Sequence, residues 1–317
     1  MRLTPAPRRL LAAALLLLPA LSGCSDKRVA VTAPGIPTWT RLTDASVGEP
    51  LTPDWRGDSI AFSAYKDGVF RIVLMRSDGT GAVTYPADAV GHYDIAPRFV
   101  NESLVVFWSA RAGNYDVWYR NLTDGSVRQL TTTTLREEYP APRPGRPGLA
   151  YCEGTQSLKG RIVLIPDTAV VDTNGVFPEK QYLTPDTLQA SEPDWDPTGT
   201  RVAFSAVGPE DTRHIWVATL GAGAPTLARL TTGPFKDFTP RWSPDGRRIA
   251  FTSNRTGRNG LWVVDPAGET AGLDLVCFDD AGATLSTLAW SPDGRSIVVS
   301  SSGRGGQALW VISDLGF

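Results

Sequence analysis

One segment of this chain recurs six times, and that recurrence limits the possible folds more than any overall figure does. Its clearest copy runs Thr239-Pro-Arg-Trp242-Ser-Pro-Asp-Gly246, then Ile249-Ala-Phe251-Thr-Ser253-Asn-Arg255-Thr-Gly257, then Leu261-Trp262-Val. A sixth copy repeats Trp290-Ser-Pro-Asp-Gly294, Ser302-Gly-Arg304-Gly-Gly306 and Leu309-Trp310-Val. The fourth, second and first copies keep Trp195, Phe99 and Trp55 in the leading position. The third is degenerate, and Pro144 is read as the substitute there. On that alignment the leading positions are 44, 45, 51, 47 and 48 residues apart. Eight of the ten tryptophans fall in two registers: 55, 195, 242 and 290 in one, 118, 216, 262 and 310 in the other.

Each copy reads as four short strands. The first ends at the aromatic, and Ser-Pro-Asp-Gly is a turn in which Pro presets φ and Gly takes the strained position. The second alternates in the manner of Ile-Ala-Phe-Thr-Ser. The third is the Leu/Ile-Trp-Val strand, followed in two copies by Asp78-Gly79 or Asp124-Gly125, a hairpin signal. The fourth is Arg-Leu-Thr at 41–43 and 229–231, and Gln129-Leu-Thr131 and Tyr182-Leu-Thr184 in looser form. Four strands in about 45 residues is a propeller blade. Six copies predict an all-β fold, a six-bladed β-propeller over 38–317. The sixth copy ends after its third strand, while Thr38-Trp-Thr-Arg41-Leu-Thr43 stands alone ahead of the first. Donating that N-terminal strand to the last blade closes the ring and removes an open sheet edge.

At these residues the sequence resembles the TolB-type β-propeller repeat, a WD-like repeat with the pattern Arg-Leu-Thr, Pro-x-Trp-Ser-Pro-Asp-Gly, Ile-Ala-Phe and Ser-x-Arg-x-Gly. The resemblance covers about 38–317 and is sharpest in copies five and six. It implies protein–protein interaction in the periplasm and leaves the partner unnamed. TolB itself is a soluble periplasmic protein with an α/β domain ahead of its propeller. Here a short polar segment precedes the first blade, and the N-terminus carries a different kind of address.

That address has a basic start (Arg2, Arg8, Arg9), an apolar run from Leu10 to Leu18 and the small-residue end Leu21-Ser22-Gly23-Cys24. The run is about half the ~20 residues that a spanning helix needs. The last four residues resemble the bacterial lipobox, which implies removal of residues 1–23 and diacylglycerol on Cys24; two or more acyl chains anchor stably where one does not. Residues 24–37 then read as a lipidated tether. Ser25 differs from the Asp of the inner-membrane retention signal, so attachment to the outer membrane facing the periplasm is expected. Cys152 and Cys277 fall in blades that do not touch and are read as separate thiols.

Charge and composition narrow the function. The formal net charge is −2, and −5 once the leader is removed, so a general nucleic-acid binder is excluded. There are only two His in 317 residues. Propeller-fold lyases bind a metal through several His, and prolyl-oligopeptidase-type peptidases need a separate hydrolase domain with a Gly-x-Ser-x-Gly elbow that this chain lacks. The expectation is a monomeric, non-enzymatic binding scaffold that uses no cofactor or metal. One face of the ring collects Lys66, Arg111, Arg213, Arg255 and Arg304 from the turns after the second strands, and Asp94, Glu138, Glu192 and Asp237 from the inter-blade loops. Two readings stay open. These charges form a partner-binding face or a cation site in the channel, or they tie blades together and solvate loops. A recognition role predicts that reversing Arg111, Arg255 and Arg304 weakens capture and spares the fold. Tyr65, Tyr93 and Tyr115 in neighbouring loops add cell-wall glycan binding as an alternative. His92 is read as a solvated loop residue, and His214, which opens a third strand, is given the same non-catalytic reading.

Overall fold

The computed structural model describes residues 37–86, 92–154, 160–166, 180–267, 274–276, 284–303 and 305–315. The leader, Cys24, the tether, Cys277 and Arg304 lie outside them. The described strands form six four-stranded antiparallel sheets, each a blade. β1 (Thr38–Arg41) comes first. Blade one is β2 (Glu49–Arg56), β3 (Ser59–Lys66), β4 (Val69–Arg76) and β5 (Val83–Thr84). Blade two is β6 (Asp94–Asn101), β7 (Leu104–Ser109), β8 (Asp116–Asn121) and β9 (Val127–Gln129). Blade three is β10 (Arg136–Pro142), β11 (Leu149–Gly154), β12 (Arg161–Ile165) and β13 (Gln181–Tyr182). Blade four is β14 (Gln189–Trp195), β15 (Arg201–Val207), β16 (Arg213–Thr219) and β17 (Thr226–Arg229). Blade five is β18 (Asp237–Trp242), β19 (Ile249–Ser253), β20 (Gly260–Val264) and β21 (Asp274–Val276). Blade six is β22 (Thr284–Trp290), β23 (Ile297–Gly303) and β24 (Gly306–Ser313), with β1 as its fourth strand. Each first strand touches the next, and β22 touches β2, so the ring is closed with the first strands innermost. Among the described residues no helix is long and apolar enough to cross a membrane.

The repeated residues hold the blades in repeated ways. The second-strand aromatics Phe62, Phe107, Phe204 and Phe251 are fully buried, each contributing about 1.5–3 kcal/mol of apolar transfer. Two of the four leading tryptophans bridge blades: Trp195 Nε1 donates to Ala141 O and Trp290 Nε1 to Arg241 O, both at 3.0 Å, while Trp55 Nε1 donates to Gly57 O of its own blade. The Thr of Leu-Thr caps the third strand. Thr43, Thr131, Thr184 and Thr231 are buried, and each Oγ1 accepts a backbone N–H (Leu309, Val117, Ile162 and Ile215) at 2.9 Å. In Ser-Pro-Asp-Gly, Ser243 Oγ donates to Asp245 Oδ1 (2.6 Å) and accepts from Arg248 N (3.0 Å), while Gly246 sits at φ 70°. The turn is therefore closed by its own side chains.

Two expectations are corrected. The leading position of blade three is Pro142, not Pro144. Pro142 pairs with Leu149 as Trp195 pairs with Val202 and Trp242 with Ile249, seven residues on in each case. The acids placed in inter-blade loops are strand residues: Asp94 opens β6, Asp237 opens β18, and Glu138 and Glu192 lie within β10 and β14. The strands continue through the X-Pro steps because each first strand carries a bulge there. In five blades the bulged residue has positive φ without being glycine: Thr52, Ala96, Tyr139, Glu192 and Thr239, at 49–59°. That conformation is uncommon and needs support. Three of these residues find it in the preceding blade: Thr52 N donates to Thr287 Oγ1 (2.8 Å), Ala96 N to Ser63 Oγ (3.0 Å) and Thr239 N to Glu192 Oε2 (2.8 Å).

Candidate functional site

Five residues before the leading aromatic, blades two, three and five carry an acid: Asp94, Glu137 and Asp237. Asp94 and Asp237 are fully buried and neutralised from within the protein. Arg111 Nη2 lies 2.6 Å from Asp94 Oδ1, and Arg120 Nη2 lies 3.1 Å from Asp94 Oδ2. Arg255 Nη2 lies 2.8 Å from Asp237 Oδ1, and its Nε donates to Ser253 Oγ at 2.9 Å. The Arg111 guanidinium also covers Trp118 (5.1 Å), and that of Arg255 covers Trp262 (4.8 Å). Both arginine side chains are only 6% exposed. Ser-x-Arg-x-Gly is thus a clamp: a serine ending the second strand, an arginine folded back over its own blade's tryptophan, and the acid that opens the first strand. Glu192 is likewise engaged, its Oε2 accepting from Ser205 Oγ (2.7 Å) and from Thr239 N of the next blade. His214 is buried rather than solvated, with Nδ1 3.6 Å from Asp237 Oδ2.

Blade three breaks the clamp. Glu153 takes the serine's place opposite Glu137, and the sequence has Thr155 in the arginine register. Glu153 itself is paired with Lys180 and accepts from Tyr182 Oη (2.9 Å). Glu137 is fully buried with no cation on it among the described residues. It accepts from Thr133 Oγ1 (2.9 Å), and Asp116 of blade two, also buried, lies beside it; Glu137 Oε2 and Asp116 Oδ1 find no donor among the described residues. Two neighbouring buried carboxyls whose facing oxygens find no donor favour a proton on one of them. Burial pushes Glu137 up to about 7 and Asp116 up to about 6.

The innermost strands also bring together four charges that sequence reasoning missed. Immediately before the leading aromatic, the blades carry Asp54, Arg98, Ala141, Asp194, Arg241 and Ala289 in order. Arg98 reaches both acids, its Nε 3.1 Å from Asp54 Oδ1 and its Nη2 2.5 Å from Asp194 Oδ1. It thereby ties blade two to blades one and four, past the alanine of blade three. The second oxygens of both acids accept backbone N–H groups of the following blade: Phe99 N to Asp54 Oδ2 (2.8 Å) and Trp242 N to Asp194 Oδ2 (2.7 Å). Burial opposes the charge of Arg98, but its two carboxylates outweigh that and raise its pKa. A column of Asp and Arg in strands otherwise committed to the core was the available signal.

What remains accessible is a rim at the end of the ring where the first strands begin. Tyr65 (38% exposed) stacks at 4.9 Å on Phe70, which lies 6.0 Å from Tyr93. Tyr115 meets Trp108 edge-on at 4.7 Å, and the Arg136 guanidinium lies 4.6 Å over Tyr115 while contacting Glu138. Lys66 is exposed, and its Nζ donates to Ser46 O (2.7 Å). Of the charged face expected from sequence, Lys66 and Glu138 therefore lie on the rim, while Asp94, Arg111, Glu192, Asp237 and Arg255 are internal ties.

The TolB beta propeller domain family matches residues 176–315. TolB from Acinetobacter baumannii superposes with a TM-score of 0.63 at 15% identity, covering 82% of this chain and 65% of its own, so this chain spans just under two thirds of that protein. A puromycin-hydrolyzing peptidase of Mycobacterium tuberculosis (TM-score 0.55, 17% identity) is covered over 50% of its length by 91% of this chain. An oligogalacturonate lyase from Vibrio parahaemolyticus (TM-score 0.55, 13% identity) is covered over 93% of its length by 87% of this chain. No curated protein matches the chain. At these identities the superpositions establish the fold: a TolB-like β-propeller.

Proposed function

We propose that this TolB-like β-propeller is a non-catalytic scaffold of the bacterial envelope that captures a protein partner on the rim formed by blades one to three. The observation that carries the reading is the rim itself. Tyr65, Phe70, Tyr93 and Tyr115 sit beside Lys66, Arg136 and Glu138, the aromatic-and-arginine composition with charged surroundings that marks protein interfaces. The Asp94–Arg111 pair of blade two supports this surface from beneath. We assign no cofactor, and the chain acts as a monomer.

In this reading Cys24 carries the lipid, and residues 25–37 tether the propeller to the outer membrane on its periplasmic side. The course of β1 supports a useful geometry. β1 starts at Thr38 opposite Ser313, the far end of β24, and runs toward the rim at Arg41. The tether then joins the end of the ring opposite the rim and leaves the rim facing away from the bilayer.

A photo-activated cross-linker at Tyr65 or Tyr93, in intact cells, is expected to give a discrete protein adduct, and one at Val83 on the outer strand β5 none. Equal labelling from both positions overturns the rim as the partner surface. The exposed Tyr65 ring, with the half-buried Tyr93 and Tyr115 beside it, also favours a second reading, stacking on a cell-wall glycan. That reading gains if oligosaccharide fragments, and no protein, are recovered from the Tyr65 adduct. Cys24→Ser is expected to abolish palmitate labelling and release the chain from membranes; retained labelling overturns the anchor.

A further inference from the structure

Arg241 is the odd member of the axial charges. It is 9% exposed, and its Nε has no hydrogen-bond partner among the described residues. Among the described residues its one hydrogen bond runs from Nη1 to the carbonyl of Pro240, at 3.1 Å. Three carboxylates lie within electrostatic reach, and each is engaged elsewhere. Asp54 and Asp194 each spend one oxygen on Arg98 and the other on a backbone N–H. Glu192 is held by Ser205 Oγ and Thr239 N. Blades three and six have Ala141 and Ala289 in this register, so they bring no acid to the axis. Arg241 also faces the charge of Arg98. Burial, reinforced by that neighbour, pulls its pKa down to about 10. A buried guanidinium with no carboxylate bonded to it is unfavourable, and a planar fork of N–H donors suits a carboxylate.

We infer that Arg241 is an anion site on the propeller axis, fitted to a single carboxylate supplied by a free monoanion or by an acidic side chain of a partner. The geometry favours a small monoanion. The committed acids around Arg241 oppose a second negative charge, so a phosphate or sulfate dianion meets more repulsion than an acetate does. Capture from a partner would deepen the scaffold reading and rests on it. Capture of a free anion does not.

The test is 35Cl NMR of the full chain in chloride, where exchange at a protein site broadens the ion's line. The wild type is expected to broaden it, and acetate to remove the broadening in a saturable way. Arg241→Gln, which deletes an unpaired buried charge, is expected to keep the circular dichroism spectrum and lose at least tenfold of the excess width. Arg56→Gln, at an exposed ion pair, is the matched control and should lose none. Equal broadening in wild type and Arg241→Gln overturns the site, as does broadening that acetate leaves untouched. Should Arg241→Gln misfold, Arg241→Lys serves instead, with weaker acetate competition expected and an unchanged titration overturning the site. A Glu-containing tetrapeptide amide separates the sources. Displacement of chloride below the acetate concentration assigns the site to a partner's side chain, and displacement only at or above it assigns the site to free monoanions. The acetate arm can fail while the cross-linking at Tyr65 succeeds, so the two readings fall separately.

Discussion

Replacing Glu137 by Gln should stabilise the propeller at pH 8 and do little at pH 5. Glu137 is buried at the seam of blades two and three, beside Asp116 and bonded to Thr133, and has none of the arginine that neutralises Asp94 and Asp237. Its pKa stands at about 7 against an ordinary 4.5. The shift is upward, so the folded chain keeps a proton that the unfolded chain gives up. The stabilisation is complete below about pH 4.5 and drains away as pH rises through about 7. Two and a half units correspond to about 3 kcal/mol at pH 8. Asp116 titrates with it as a pair, so its own shift is not added. Gln mimics the protonated acid: its NH2 can donate to Asp116, and its carbonyl can accept from Thr133. The variant should therefore be more stable by about 2–3 kcal/mol at pH 8 and within ~1 kcal/mol of wild type at pH 5. Melting curves of both chains from pH 5 to 8.5 measure this, and taking the difference cancels the carboxylates common to both. At about 2–4 °C per kcal/mol for a chain of this size, the gap at pH 8 is roughly 4–12 °C. A gap that does not change with pH, or a variant that is less stable throughout, refutes the buried-proton account.

Two further outcomes follow from the same contacts. Arg111→Glu together with Arg255→Glu places like charges against Asp94 and Asp237. Each should cost at least the roughly 3–5 kcal/mol of a broken buried pair, so the melting transition should collapse; a stable double variant that only loses its partner would return these arginines to the recognition surface. Deleting 38–43 removes β1 and the Thr43 cap on Leu309 N. The whole domain should then melt earlier in one transition, and an unchanged melting temperature would show that β1 does not close the ring.

The architecture was legible because each blade repeats its own stabilising contacts. The Thr that caps a third strand recurs in four blades and the Trp that reaches the previous blade's carbonyl in two, and such repeated contacts surface as registers. Ring closure was legible for the same reason, since the fourth-strand motif at 41–43 stands apart from the other blade-one motifs. The charges were harder. Pro after Thr52, Ala96, Tyr139, Glu192 and Thr239 looks like the end of a loop, but here the bulge absorbs it, and the acids just before it belong to strands. Burial then turned expected surface residues into internal ties. Arg98 escaped notice because its partners, Asp54 and Asp194, come from blades that are not consecutive in the chain. Pro142 could have been found from its seven-residue spacing to Leu149, which the degenerate residues around it obscured.

The pairing of β1 with β24 also sets an order in time. Thr38 Oγ1 donates to Asp314 Oδ2 (3.1 Å), 276 residues away. A chain made from its N-terminus presents β1 first and its partner last. Blades one to five can each fold from local hairpins as they emerge, but the ring stays an open arc with two unsatisfied edges until the last strand arrives. Contacts this distant in sequence are slow to form, and the open arc is the species most exposed to proteases and to pairing with a second chain. Closure is therefore a late checkpoint, and a chain that stops short of β24 leaves its own first strand as the mark of incompleteness.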